Sequence, residues 1–459
     1  MPAHIADAKE AQAFLDAHPE MQFFELVYTG LSGVPRGKRL RRHELMPLYE
    51  NGRFLPSSLL VTDITGRDVE ETGVIWEEGD KDRVGWPVPG RLTMAPWLGD
   101  DVAQVPVSIY ETDGTAIDLD PRHVLARVID RFAADGLTPV VACELEFFLL
   151  DAARDAAGGV QLARWPVSGK QPTQHDQYSL EEMADAMPFL RELWHACDVI
   201  GVPLEGAISE YAPGQLEIAL KHHADALRAA DDAVLYKRAA RGAALKHGCE
   251  ATFMAKPFAE HAGSGMHMHV SVDDAKGANI FASESEEGAP VLRHAIGGMK
   301  ALLADSMAVL APNANSYRRF KTNTYAPVAP AWGVNNRTCA FRVPAGAAQT
   351  RHIEHRVAGA DAHPALALAV LLAGVHHGVT QKLDPGPPIA GNGYEAGESS
   401  ERIPTNWFAA VDAFERSALL KAYLGARFVD TYATVKRVEQ DRFQSVIPNV
   451  DYDWYLRSS

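Results

Sequence analysis

The sequence predicts an α+β protein in two parts, a small mixed domain over residues 1–112 and a larger one over 113–459. Three observations carry this. First, residues 21–110 hold short strand-like runs (MQFFELVYT, FLPSSLLVTDI, AQVPVSIY) divided by Gly and Pro, the residues that interrupt regular structure. Second, the polar stretch ETDGTAIDLDPR marks a break, and Asp120 followed by Pro121 reads as a helix cap with proline in the first turn. Third, amphipathic helices then mix with strands, two of which, 204–210 and 215–220, read as a pair around a YAPG turn.

The elements follow in order. Residues 1–20 read as a helix and an entry loop. The 121–135 helix, closed by Gly136, leads into VVACELEFFLL, a strand. Ser179-Leu180-Glu181-Glu182 is a capping box opening a helix to about 200. A helix is expected over 223–247, and strands over 250–255, 266–272, 337–343 and 352–357. Pro364 opens an apolar helix, 384–402 reads as a loop, and the C-terminal part is helical.

Composition bounds the function. Hydrophobic residues are 47% and charged residues 23%, a globular balance. Lys+Arg of 44 against Asp+Glu of 60 gives a net charge of −16, opposite to what a general nucleic-acid binder needs. Four cysteines without a C-x-x-C spacing argue against a disulfide framework. The N-terminus lacks an apolar leader, and the 365–373 apolar run is too short to span a bilayer, so a cytoplasmic protein is expected.

Five segments carry candidate chemistry. Glu144 and Glu146 are two apart in a strand and share one face, while Val141, Cys143, Leu145, Phe147 and Leu149 take the other. Two carboxylates there need a cation, which a salt-bridged sheet surface also supplies. Glu210 and Glu217 flank the Pro213-Gly214 turn, a metal site or two surface glutamates. In GSGMHMHVSV, His267 and His269 share a face, as metal ligands or as hydrogen-bonded core histidines. His352, Glu354 and Arg356 alternate in RHIEHRV, where a structural ion pair is the plain reading. Arg318, Arg319, Arg337 and Arg342 supply guanidinium forks suited to carboxylates and phosphates.

Together, in this order and wording, the segments resemble the glutamine synthetase family: E-x-E, E…G-Q-x-E, GSGMHxH, N-x-N-S-Y-x-R, N-R-T…R-x-P and I-E-x-R, preceded by P-R-G-K at 35–38. The resemblance covers nearly the whole chain. It implies an N-terminal β-grasp domain, a catalytic domain on a curved antiparallel sheet flanked by helices, and a homo-oligomer, a dodecamer of two stacked hexameric rings with sites between subunits. It implies two Mg²⁺ or Mn²⁺ ions per site, one held by Glu146, Glu210 and Glu217, the other by Glu144, His267 and Glu354. ATP is implied as co-substrate beside His269, Ser271 and Arg342. Arg337 joins Arg342 at the phosphates, Arg319 and Arg356 grip L-glutamate, and the backbone of Gly263 touches it.

Two departures bear on the second substrate. Leu55, in FLPSS, stands where ammonia-using members carry Asp in F-D-G-S-S. Tyr325, in TYAPV, stands where they carry a flap Glu in Y-E-A-P-V. With both anions gone, the resemblance narrows to the γ-glutamylamine ligases, above all the glutamate–putrescine ligases. Tyr325 can then stack on an alkyl chain or meet its ammonium, and Asp63 is a candidate acidic partner for the amine. Ethanolamine, alkylamine or arylamine ligases are the neighbouring expectation; plain glutamine synthesis, a guanidino kinase and a non-catalytic relative are weaker ones. No nucleic acid or membrane partner is expected.

Overall fold

The computed structural model describes residues 5–156, 158–395 and 403–459. Two sheets organise the chain. Strands β1 (Phe23–Thr29), β2 (Pro35–Arg41), β3 (Arg53–Pro56), β4 (Asp82–Pro87), β5 (Thr93–Met94) and β6 (Val102–Tyr110) form the first, in the order β2-β1-β6-β4-β3 with β5 beside β6. β1 and β2 are an antiparallel hairpin, and β1 runs parallel to β6, the mixed arrangement expected of a β-grasp.

The second sheet uses β7 (Leu137–Asp151), β8 (Leu204–Ser209), β9 (Gln215–Leu220), β10 (Cys249–Thr252), β11 (Met266–Asp274), β12 (Trp332–Val334), β13 (Phe341–Val343) and β14 (Ile353–His355). Their order is β12-β13-β14-β11-β7-β9-β8, with β10 on β7. All pairs are antiparallel except β12–β13. The expected 337–343 strand is shorter than its apolar pattern, because 336–340 turns back to let β13 pair with β12.

One face of β7 (Val141, Cys143, Leu145, Phe147, Leu149) is buried in the main core. Helix Pro121–Ala134 begins as expected: Asp120 accepts from the Arg122 amide at 2.8 Å and, with its other oxygen, from Ile109 of β6 at 2.8 Å, tying the two halves together. Ser179 caps helix Leu180–Val199 by accepting from the Glu182 amide. Helix Ala226–Lys246 is mostly buried, and its Asp232 pairs with Arg91 of the N-terminal part at 2.6 Å, both side chains out of solvent.

Helix Pro364–Gln381 is apolar along its 18 residues, long enough to cross a membrane by composition, but 78% of it is buried. It packs on helix Pro290–Leu310, and there is no room for side chains at the crossing. A Cβ on Gly298 would lie 2.1 Å from the Gly374 carbonyl oxygen, and one on Gly378 2.1 Å from that of His294. The His376 ring bonds Tyr423 Oη at 2.7 Å and faces Asp135 at 3.1 Å. Residues 384–394 lack regular helix or strand, and the rest of the expected 384–402 loop, 396–402, lies outside the described residues.

Candidate active site

Register brings the candidate residues onto one face of the second sheet. On β7 and β11, Glu144 pairs with His267. On β7 and β9, Glu146 pairs with Glu217. On β11 and β14, His269 pairs with Glu354, which pairs in turn with Arg342 of β13. Because alternate residues share a face, these pairs form a continuous polar surface over a strand whose reverse side is apolar. Glu210 joins from the turn after β8, its amide held by the Gln215 carbonyl at 2.8 Å.

Three sets of ligand atoms converge there. Oxygens of Glu146, Glu210 and Glu217 lie within 4.8 Å of one another. Glu144, Glu217 and His267 form a second such set, and Glu144, His269 and Glu354 a third. His267 Nδ1 is 2.9 Å from Glu144 Oε1 and 3.7 Å from Glu354 Oε1. The six expected metal ligands are therefore contiguous, and Glu144 joins the two groups.

Electrostatics tests whether cations fit. Burial, then the charges of Glu144, Glu146 and Glu210, push the Glu217 carboxyl up to about 11. Burial and the Glu146 charge push Glu210 up to about 7. Across the cleft, burial opposes ionisation of Glu354, but Arg356, His267, His269 and Arg342 overcome it and hold the carboxyl near about 2. Glu144 is likewise lowered, its burial outweighed by His267 and His269. Ionising all of Glu146, Glu210 and Glu217 would thus place more negative charge there than the protein partners neutralise, which a bound cation would allow. An oxygen-rich donor set of this kind suits hard divalent cations.

The arginines sort by position. Arg342 donates to Glu354 Oε2 at 2.7 Å and to Asn335 Oδ1 at 2.9 Å. Arg356 pairs with the other oxygen of Glu354, while its buried Nε has no partner among the described residues. Arg319, 5% exposed, donates to the Val357 carbonyl at 2.7 Å and the Arg356 carbonyl at 3.3 Å. Gly263 lies on Arg319, where a Cβ would come within 2.7 Å of Arg319 Cγ. Arg337 is exposed and makes no ion pair among the described residues. Ser271 follows His269 on the same strand face.

The structure does not bring Leu55 or Asp63 to the cluster. Leu55 is 2% exposed in β3, its Cδ1 3.0 Å from where a Gly85 Cβ would stand. Asp63 is committed to its own chain. One oxygen accepts from the amides of Thr65 and Arg67 at 2.8 and 2.9 Å, and the other pairs with Arg442. It lines a separate cavity of about 690 Å³ with Lys237, Asn315 and Glu439. Tyr325 is 59% exposed and holds a left-handed backbone, φ 57°, in the loop before β12.

Sequence reasoning gave no role to several supporting residues. Gln215 Nε2 donates to Glu146 Oε2 at 3.3 Å and to the Gly263 carbonyl at 3.1 Å, and the Gly265 amide donates to Glu146 Oε2 at 2.7 Å. Gln177 reaches Glu210 Oε2 at 3.3 Å. Gln215 was visible in the G-Q-x-E wording; Gln177, in a loop far upstream, carried no signal.

Residues 118–455 match the family described as glutamine synthetase, catalytic domain. The chain belongs to the glutamine synthetase family. Over 454 residues it is 38% identical to gamma-glutamylputrescine synthetase PuuA of Escherichia coli K12, spanning 99% of this chain and 96% of that protein. It is 33% identical to gamma-glutamylethanolamide synthetase GlnA4 of Streptomyces coelicolor, spanning 95% and 91%. A solved structure titled as a GmaS/ADP complex superposes with a TM-score of 0.83 at 26% identity, spanning 97% and 98%. This glutamine synthetase homologue is an ATP-dependent carbon–nitrogen ligase of the glutamate–amine kind.

Proposed function

We propose that the protein joins the γ-carboxyl of L-glutamate to putrescine or a related polyamine through γ-glutamyl phosphate. The observation that carries the choice of amine is the neutral pair Leu55 and Tyr325 at the two positions where ammonia-using members carry acids. Ammonium is bound by charge, and neither residue supplies one. The similarity to PuuA over nearly the whole of both chains supports the same reading. So does the net charge of −16, which favours approach of a polycation.

In this mechanism a γ-carboxylate oxygen attacks the γ-phosphorus of ATP, and the bond to ADP breaks. The amine nitrogen then attacks the γ-carbon, the carbon–oxygen bond to phosphate breaks, and the nitrogen gives up a proton. Two divalent cations, Mg²⁺ or Mn²⁺, supply charge neutralisation and orientation when bound. Glu146, Glu210 and Glu217 would hold one; Glu144, His267 and Glu354 would hold the other. Arg319 and Arg356 position glutamate, with the Gly263 backbone as a close wall. Arg342 and Arg337 stabilise charge on the transferring phosphoryl group, and His269 and Ser271 face the nucleotide. Tyr325, exposed on its loop, packs on the carbon chain of the amine. The strand bearing Leu55 serves a neighbouring subunit's site in a dodecamer of two stacked hexamers, where its contribution is the missing carboxylate.

Glutamate labelled with ¹⁸O in its γ-carboxylate tests the route. One labelled oxygen should appear in phosphate only when ATP and a polyamine are both present, alongside a product with the mass of γ-glutamylputrescine. Unlabelled phosphate would overturn the acyl-phosphate step, and labelled phosphate with ammonium alone would overturn the choice of amine.

A further inference from the structure

Beside the carboxylates, three imidazoles from separate segments meet: His222 just after β9, His269 on β11 and His352 just before β14. One ring nitrogen from each lies within 4.8 Å of the others. His352 Nε2 and His269 Nδ1 are 3.2 Å apart. The far side of the His352 ring is already committed. His352 Nδ1 is 2.8 Å from the Thr350 carbonyl, which can only accept, so that nitrogen carries the proton and Nε2 presents a lone pair. His269 Nε2 lies 3.6 Å from Glu144 Oε2, and its Nδ1 is turned toward His352. Two ring nitrogens at this distance hold either a proton or a cation between them. The His222 ring stands 5.7 Å from His269 and 5.6 Å from His352, tilted edge-on to both, and is exposed, with no hydrogen-bond partner among the described residues.

We propose that His222, His269 and His352 form a third cation site, one that takes a borderline transition ion such as Zn²⁺ or Co²⁺ rather than Mg²⁺. The donors are nitrogens, which favour these ions, whereas the neighbouring carboxylates favour hard ones. Two imidazoles on a tetrahedral Zn²⁺ place their nitrogens about 3.3 Å apart, given bonds of about 2.0–2.1 Å. The His269–His352 separation already matches. Three imidazoles leave the fourth tetrahedral position for a water or substrate oxygen. Exposed His222 gives the ion its route in. A proton shared between His269 and His352 also accounts for their separation but leaves His222 without a part, and the experiment separates the two.

Wild-type protein and the variants His222→Ala and His222→Gln would be held in excess Mg²⁺ and titrated with Co²⁺, read by visible absorption. The expected result is one Co²⁺ per chain with the intense absorption of a four-coordinate complex, not chased by Mg²⁺, and bound more than about tenfold more weakly in both variants. Zn²⁺ bound at equilibrium should fall by one equivalent per chain in both. Unchanged Co²⁺ spectra and Zn²⁺ counts in the variants, or a Co²⁺ signal that Mg²⁺ displaces, would overturn the site.

Discussion

Glu217 of β9 stands directly opposite Glu146 of β7, two carboxylates in register on the same sheet face. Like charges so placed weaken a sheet, and burial with the surrounding carboxylates drives the Glu217 carboxyl up to about 11. A divalent cation reverses that penalty. Glu217→Gln should therefore lose much of the affinity for one cation and lower kcat by about 100-fold or more, while raising the melting temperature of the metal-free protein. Calorimetric metal titration, with thermal melts in chelator, checks both directions.

Metal removal should be visible as stability. A ligand at 100 times its Kd that binds only the folded state adds about 2.7 kcal/mol. Mg²⁺ or Mn²⁺ should raise the melting temperature of the wild-type protein, chelator should reverse the gain, and Na⁺ at matched ionic strength should not reproduce it.

Gln215 holds Glu146 and the Gly263 carbonyl with one amide group. Gln215→Ala leaves every charged ligand in place but frees Glu146 to turn. Activity or metal affinity should fall about 10–100-fold, and Gln215→Glu should be no better, since a carboxylate cannot donate to Glu146. Steady-state kinetics at several Mn²⁺ concentrations distinguishes weaker metal binding from slower chemistry.

The site was legible where chemistry sits within one strand. Period two placed Glu144 with Glu146, and His267 with His269, on common faces, and the turn at Pro213-Gly214 brought Glu210 toward Glu217. What residues alone could not yield was strand order. That β11 lies between β7 and β14, so that Glu144, His267 and Glu354 meet, comes from pairings between residues 123 and 85 positions apart, which local pattern does not encode. The family resemblance supplied that order. Asp63 shows the opposite case: its acidity drew attention, but Thr65, Arg67 and Arg442 use both of its oxygens.

Asp63 makes a stability prediction instead. Burial alone would raise its carboxyl; the Arg67 amide, the Thr65 hydroxyl and Arg442 more than offset that, so it lies below its ordinary value of 3.8. A group lowered in the folded state contributes stability above its unfolded value and loses it as pH falls through the folded one. Asp63→Asn should destabilise the protein by about 1–3 kcal/mol at neutral pH, and the gap should narrow below about pH 4. Denaturant melts at a series of pH values read it.

The helix crossing at Gly298 has no spare volume. Gly298→Ala sets a Cβ 2.1 Å from the Gly374 carbonyl oxygen, which only a shift of two buried helices can relieve. A loss of about 1–3 kcal/mol is expected, with little change in KM if the active site is preserved. Denaturant melts alongside kinetics separate the two effects.

The most direct test of the account compares kcat/KM for putrescine and for ammonium on one preparation, by phosphate release with saturating ATP, Mg²⁺ and L-glutamate, in the wild type and Tyr325→Glu. The account predicts strong preference for putrescine in the wild type and a shift of at least about tenfold toward ammonium in the variant, the change expected from placing a carboxylate against a cation. Efficient wild-type turnover of ammonium, with the ratio unmoved by Tyr325→Glu, would contradict it.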